Sequence, residues 1–135
     1  MNIELKNKID EVVASIGNRQ LEDALMAEAF ALAVTAEEKK EAGQYLMQAI
    51  AKRKRTDIDA KNILGEVGDA VSLAYVAQRY FDKDRAWLYQ RLNKSMVNGK
   101  PASFTEQELT VLAESFKDIG QKLLEVSTNI SLSLK

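Results

Sequence analysis

The sequence contains no cysteine and no histidine. Without cysteine the chain has no disulfide, thiolate metal ligand or thiol nucleophile, and nothing in it indicates an oxidising compartment. Without histidine it lacks the usual general base near neutral pH and the commonest neutral metal ligand. Glu37, Glu38 and Glu41 share adjacent helical turns, but no matching carboxylate helix completes a metal site. We therefore expect a non-enzymatic protein with no catalytic residue, no metal and no cofactor.

Long hydrophobic runs are also missing. No stretch approaches the roughly 20 apolar residues that a membrane span requires, and Met1 to Lys6 lacks the basic segment and apolar run of a signal peptide. Proline occurs once and glycine six times, while 46% of the residues are hydrophobic. This composition predicts a folded chain, and we expect it to be cytoplasmic.

The positive and negative charges almost cancel over the whole chain, but they are unevenly distributed. The formal net charge is -1, yet residues 52–100 hold 11 basic and 6 acidic side chains, whereas both flanking segments are acidic. Such a basic segment is typical of a surface that faces phosphate groups. It could equally pair with the chain's own acidic parts, and charge alone leaves both interpretations open. The run Lys52 to Arg55 fits a third use, as cations at a helix C-terminus.

The spacing of apolar residues is helical along almost the whole chain. Apolar residues recur at helical spacing, with no alternation of the kind that predicts strands, so the fold class is all-α. Helices are predicted over 3–16, over 21–33, from a capping box at Thr35 and Glu38, and over 57–67. We expect N-terminal helical hairpins at 1–68, which we assign to dimerisation. A helix-turn-helix bundle follows at 69–126, and a frayed tail at 127–135.

Two short helices in the basic segment carry the functional information. Residues 72–81 form one predicted helix, and Asp84 caps a second over 85–92. Ala77 supplies a small residue where the helices cross, and Leu88 fixes the inner face of the second. Two short helices joined by a tight turn are the arrangement of a DNA-binding helix-turn-helix. Trp87 is more simply explained as a core aromatic.

The outward side chains of the second helix suit the major groove. Arginine pairs with guanine, glutamine with adenine, and a carboxylate accepts from cytosine. The candidate base-facing residues are Asp84, Arg85, Ala86, Tyr89 and Gln90. Flanking cations that suit phosphate contacts are Arg79, Lys83, Arg91 and Lys94.

A turn and a well-capped helix follow. Asn98 and Gly99 mark the turn and Pro101 bars a helix there, while Thr105 and Glu108 form a second capping box. Phe104 is placed to pack onto Leu109 of the closing helix, which is amphipathic as far as Leu123.

Residues 72–116 resemble the helix-turn-helix domains of phage repressors and Cro proteins. The resemblance runs from Val76-Ala77 through Leu88 and Leu92-Asn93 to the turn at Asn98 to Pro101 and the capped closing helix. The resemblance implies an inner helix, a recognition helix, a phosphate-lining loop and a closing helix, in that order. It places Asp84, Arg85, Ala86, Tyr89 and Gln90 at base-facing positions, and Asn98 and Lys100 in the backbone-contacting loop. Phe81 stands where that family usually has glycine, and the turn is predicted to be one residue longer.

The whole chain is also similar to a family of small bacterial proteins whose label is a domain of unknown function, which implies no activity. From the repressor resemblance we expect a binder of double-stranded DNA, acting as a small transcriptional regulator or mobile-element accessory protein. A homodimer formed through the N-terminal helices would then read two half-sites. The alternative is a helical interaction or oligomerisation module that does not bind DNA.

Overall fold

A computed structural model describes all 135 residues as two compact units, Met1–Arg53 and Lys54–Lys135. Eight helices dominate, and the β-structure is confined to one short two-stranded hairpin and an isolated bridge. The predicted all-α class is therefore confirmed. None of the helices is both long enough and apolar enough to cross a membrane.

Unit 1, Met1–Arg53, consists of three helices. They are α1 (Ile3–Ala14), α2 (Arg19–Leu32) and α3 (Ala36–Ala51). Side chains cap each of them at the N-terminus, and the capping residues are Asn2, Asn18 and Thr35. Leu5 and Ile9 of α1 are buried against Ala29 and Ala33, at the end of α2. A helical hairpin with a third helix packed on it is the result.

The first predicted capping box is only half formed. The Thr35 hydroxyl accepts from the Glu38 amide at 3.1 Å. The Glu38 carboxylate, however, accepts from the amide of Val34 at 3.4 Å and not from that of Thr35. The helix still begins where the sequence indicated, because the Thr35 side chain supplies the first cap.

Unit 2, Lys54–Lys135, contains the remaining elements. They are α4 (Ala60–Leu64), α5 (Val67–Ala70), α6 (Leu73–Phe81), α7 (Arg85–Leu92), β1 (Met96–Val97), β2 (Lys100–Pro101) and α8 (Glu106–Ser133). Its core combines α4, α6, α7 and α8 with the loop residue Phe104. The Thr105–Glu108 capping box is complete at the start of α8, as predicted.

Residues 54–68 pack in unit 2, whereas the expected division of the chain lay at 68–69. Ala60 is buried in the core that contains Leu73 and Leu88, and Leu64 packs against it. The Arg55 amide donates to the Phe104 carbonyl at 2.8 Å, and its guanidinium lies 2.6 Å from Glu106. The apolar spacing of 57–67 identified a helical segment but carried no information about which unit would bury it.

Two further helix boundaries differ from the expectations. The single helix over 57–67 is broken at Gly65, whose φ of +50° lies in the left-handed region. At the other end of the unit, α8 continues to Ser133 through the segment 127–135 that was expected to fray. Every residue from 121 to 135 is nevertheless exposed.

Truncation of Leu88 tests the core of unit 2. Its side chain is completely buried, so Leu88→Ala should lower the free energy of unfolding by about 3 kcal/mol. Urea denaturation followed by the fluorescence of Trp87, the only tryptophan, reports on this unit. The matched control Ile63→Ala removes a side chain that is 74% exposed and should change stability by less than about 0.5 kcal/mol. Equal losses in the two variants would contradict this core assignment.

Candidate nucleic-acid interface

The position of α7 is set by its inner face. Leu88 and Leu92 are buried against Val76 and Ala77 of α6, and Ala77 has no exposed surface. A larger side chain at Ala77 would push the two helices apart, because protein cores are close-packed. The small residue at the crossing and the leucine that fixes the inner face therefore occupy the places predicted for them.

The turn between α6 and α7 lies at Asp82 and Lys83, as the sequence predicts, but its left-handed residue is not the one that the repressor resemblance marks. Phe81, placed by the sequence where glycine is usual, is the last residue of α6, and its ring lies 4.9 Å from that of Trp87. The left-handed residue is Asp82, with φ 54° and ψ 42°. Aspartate tolerates this conformation better than phenylalanine does. Trp87 packs against the core, as predicted.

The outer face of α7 is open at its N-terminal end. Arg85, Ala86 and Gln90 are exposed, and so is Asp84, whose carboxylate accepts from the Trp87 amide at 2.9 Å. Tyr89 differs from these four: it is half-buried and packs against the core, and the Arg85 guanidinium lies 4.7 Å from the centre of its ring. Arg85, Ala86, Gln90 and the cap residue Asp84 thus face solvent together, while the Tyr89 ring supports the Arg85 side chain.

The loop that follows α7 is a β-hairpin. Met96 pairs with Pro101 and Val97 with Lys100, and the two residues between the strands have φ values of +52° and +79°. Positive φ at both central positions is typical of a type I′ turn, which Asn-Gly sequences favour. Asn98 and Lys100 are therefore presented on a tight, exposed hairpin where a loop had been predicted.

All three lysines that were predicted to contact phosphate are accessible. Lys83, Lys94 and Lys100 are exposed, and none of them forms an ion pair in unit 2. Lys94 lies in the left-handed region at φ +51°, and its ammonium donates to the Thr56 carbonyl at 3.3 Å. Backbone conformation and this hydrogen bond hold Lys94 just beyond the C-terminal end of α7.

Arg91 is more enclosed than the sequence suggested. Its guanidinium lies 4.2 Å from the centre of the Trp87 ring, its Nε atom is 3.8 Å from Glu108, and its side chain is only 18% exposed. These contacts favour a structural role between α7 and α8. The sequence identified a flanking cation but could not show that Trp87 and Glu108 would enclose it.

Arg79 also lies apart from the other cations. It is on α6, 5.7 Å from the centre of the Tyr80 ring, and its charge acts on Asp118 of α8. The Tyr80 hydroxyl donates to Asp118 at 2.5 Å, and Lys122 pairs with the same carboxylate at 3.1 Å. Arg79 thus belongs to a charged network between α6 and α8, and no contact joins it to Lys94 or Lys100.

Sequence reasoning missed one cation of this region. Lys54 lines a concave pocket of about 400 Å³ together with Arg91 and Lys100, and no acidic residue contributes to the lining. The Lys54 ammonium donates to the Ser103 carbonyl at 3.2 Å. The basic run 52–55 was the available signal, but it had been explained as charge at a helix C-terminus.

The helix α7 and the elements around it lie within a segment that matches a known sequence family. The profile described as Domain of unknown function (DUF5053) matches residues 60–130, more than half of the chain. The chain belongs to this family. The DUF5053 match includes α4 to α7, the hairpin and most of α8, whereas Lys54 and all of unit 1 lie outside it. The predicted likeness to a family bearing that kind of label is confirmed for residues 60–130. No curated protein and no solved structure matches the chain.

The Tyr80–Asp118 pair within the DUF5053 segment makes stability depend on pH. The hydrogen bond from Tyr80, followed by that from Lys122, lowers the pKa of Asp118, while the same hydrogen bond raises the pKa of Tyr80. The contribution of Asp118 is thus present above its unfolded pKa of about 3.9. It is lost as the pH falls through the lower folded value.

We expect Asp118→Asn to be less stable than the wild type at pH 7, with the difference shrinking progressively as the solution is acidified below about pH 4. Urea denaturation over this range measures it, and ultraviolet titration should show the pKa of Tyr80 returning towards its ordinary value. Glu114→Gln, an exposed α8 carboxylate outside the ion pairs, is the control. A stability difference that is independent of pH would contradict the assignment.

Proposed function

We propose that the chain is a non-enzymatic DNA-binding protein that docks α7 into the major groove of double-stranded DNA. The observation that carries the proposal is the division of α7 into two faces. Leu88 and Leu92 are buried, while Arg85, Ala86 and Gln90 are exposed together near the N-terminal end. A helix held in this way presents base-reading side chains without rearrangement of the core.

The exposed side chains match the chemistry of base edges. Arg85 donates two hydrogen bonds to guanine, and Gln90 pairs with adenine. Ala86 leaves room for the backbone to approach and contacts a thymine methyl group. Stacking of Arg85 on Tyr89 restricts the guanidinium and reduces the entropy lost on binding. Tyr89 thus supports the Arg85 side chain, and Asp84 acts mainly as the helix cap.

Phosphate contacts would come from residues on both sides of α7. Lys83 lies in the turn before it, Lys94 lies just after it, and the hairpin carries Asn98 and Lys100. The pocket lined by Lys54, Arg91 and Lys100 extends this basic surface. Phosphate contacts supply most of the sequence-independent affinity and fix the register of the helix on DNA.

The order of elements supports the same proposal. An inner helix, α6, is followed by α7, then by a segment carrying Asn98 and Lys100, and then by the capped helix α8. This order resembles the helix-turn-helix domains of phage repressors and Cro proteins. By that resemblance the chain is a cytoplasmic transcriptional regulator or a mobile-element accessory protein.

A single unit of this size makes few base contacts, so a homodimer reading two half-sites about one DNA turn apart is part of the proposal. The sequence assigned pairing to the N-terminal helices. In unit 1, Phe30 and Val34 at the end of α2 and Met47 on α3 are exposed apolar residues available for such a contact.

A second candidate is a helical interaction module without DNA binding. Two observations favour it: Asp82 and Asp84 are exposed directly before α7, and both units carry exposed apolar side chains, among them Phe30 and Leu124. Acidic groups next to the reading face would repel phosphate. This candidate predicts a protein partner and no affinity for duplex DNA.

Fluorescence anisotropy with a labelled random-sequence duplex separates the two candidates. DNA binding predicts saturable binding at micromolar protein in low salt, weakening steeply as salt is raised. Lys100→Gln should reduce the slope of log affinity against log salt by about one unit. Lys40→Gln, which removes an exposed cation of α3, is the matched control and should leave the slope unchanged. A flat signal in both buffers would exclude DNA binding.

Sequence preference tests the base-reading face separately. Selection from a random duplex library should enrich a short motif with the wild type, and Arg85→Ala and Gln90→Ala should each cost about 1–3 kcal/mol of discrimination at one base position. Their binding to random duplex should fall less. If both variants enrich the wild-type motif equally well, α7 is not the reading helix.

A further inference from the structure

One apolar stripe runs along the whole of α8 and leaves the core halfway. Leu109, Leu112, Phe116 and Ile119 pack in unit 2, at spacings of three and four residues. The same spacing continues to Leu123, Val126 and Ile130, but these side chains are 59%, 55% and 57% exposed. The stripe is thus covered in its first half and uncovered in its second.

We infer that residues 123–133 of α8 pair with the same segment of a second copy of this chain, forming a short parallel coiled coil. The inference goes beyond DNA binding and does not depend on it. It assigns a self-association surface to a segment that the core of unit 2 does not cover, since every residue from 121 to 135 is exposed.

The spacing identifies the partner. Apolar residues that alternate at three and four residues have an average period of 3.5, which keeps a seam facing one neighbouring helix over several turns. The covered half of the stripe, with the same spacing, packs against the core of unit 2. Because a second copy carries the same seam, the uncovered halves are complementary to each other without any adjustment of sequence.

Charge also favours a second copy. Between residues 120 and 135 the only charged side chains are Lys122, Glu125 and Lys135. The positions that flank the seam are occupied by Lys122, Ser127 and Asn129, and Lys122 is already paired with Asp118 at 3.1 Å. Two identical helices therefore approach without like-charge repulsion along the contact.

The position of Ser133 favours the parallel direction. In a parallel pair Leu123, Val126 and Ile130 each meet their own counterparts, and Ser133 meets Ser133. An antiparallel pair of the same length would place Ser133 against Leu123, opposing a hydroxyl to an apolar side chain. Three apolar layers, with exposed Leu134 beside them, form a small interface. We therefore expect a reversible dimer with a roughly micromolar dissociation constant.

Sedimentation velocity on the full-length chain, between about 1 and 100 µM, tests the inference. The wild type should shift from the mass of one chain to that of two. Val126→Lys and Ile130→Lys should each weaken dimerisation roughly a hundredfold or more. The circular dichroism spectrum and the urea unfolding curve followed by Trp87 fluorescence should stay unchanged, because neither Val126 nor Ile130 belongs to the core.

Two control variants keep the result specific. Thr128→Lys adds the same charge on the opposite side of α8 and should dimerise like the wild type. Phe30→Lys alters the exposed apolar surface of unit 1 that pairing through the N-terminal helices would use, so pairing through residues 123–133 predicts that this variant still dimerises. A wild type that stays monomeric, or a dimer dissolved by Phe30→Lys and not by Val126→Lys, would overturn the inference. Because none of these readouts involves DNA, the DNA-binding proposal is tested separately.

The absence of cysteine permits a direct test of direction and register. Val126→Cys gives the chain its only thiol, and oxidation should link two chains through a disulfide, seen on a non-reducing gel. Thr128→Cys, outside the seam, should cross-link much less. Equal cross-linking at the two positions, or none at Val126, would overturn the parallel pairing.

Discussion

The packing of Ala77 of α6 and Leu88 of α7 into one buried core is the constraint on which the functional interpretation depends. Both side chains are completely buried, so α7 is fixed in rotation about its own axis. This rotation decides that Arg85, Ala86 and Gln90 point outward while Leu92 points inward. The turn at Asp82 and the cap at Asp84 fix where the helix begins. The packing that stabilises unit 2 therefore also determines which side chains of α7 are exposed.

Much of this arrangement could be predicted from local sequence, because local interactions produce it. Caps at Thr35, Asp84 and Thr105 are recognisable from side chains that accept hydrogen bonds from the first turn of a helix. The Asn98-Gly99 turn is also predictable, because it depends on the residue types in the turn itself. The strands beside it could not be predicted, since two residues are too few to show an alternating pattern.

Features that depend on distant residues could not be predicted. Arg91 is enclosed because Glu108, which is 17 positions away, lies within 3.8 Å of it. The segment around Ala60 joins unit 2 because its partners Leu73 and Leu88 come later in the chain. The same applies to Tyr89 and Lys54, whose residue types gave no indication of burial or of neighbours. For the candidate interface, sequence identified the helix and most of its accessible cations but could not assign Arg91 to a structural contact.

The central claim is that the exposed face of α7 meets DNA. Amide resonances of the isotopically labelled full-length protein, titrated with a short random-sequence duplex in low salt, test it residue by residue. The account predicts the largest shifts at Arg85, Ala86 and Gln90, smaller ones on the hairpin around Lys100, and unchanged resonances for the buried Leu5 and Ile9 of unit 1. Shifts confined to unit 1, or none at saturating duplex, would contradict it.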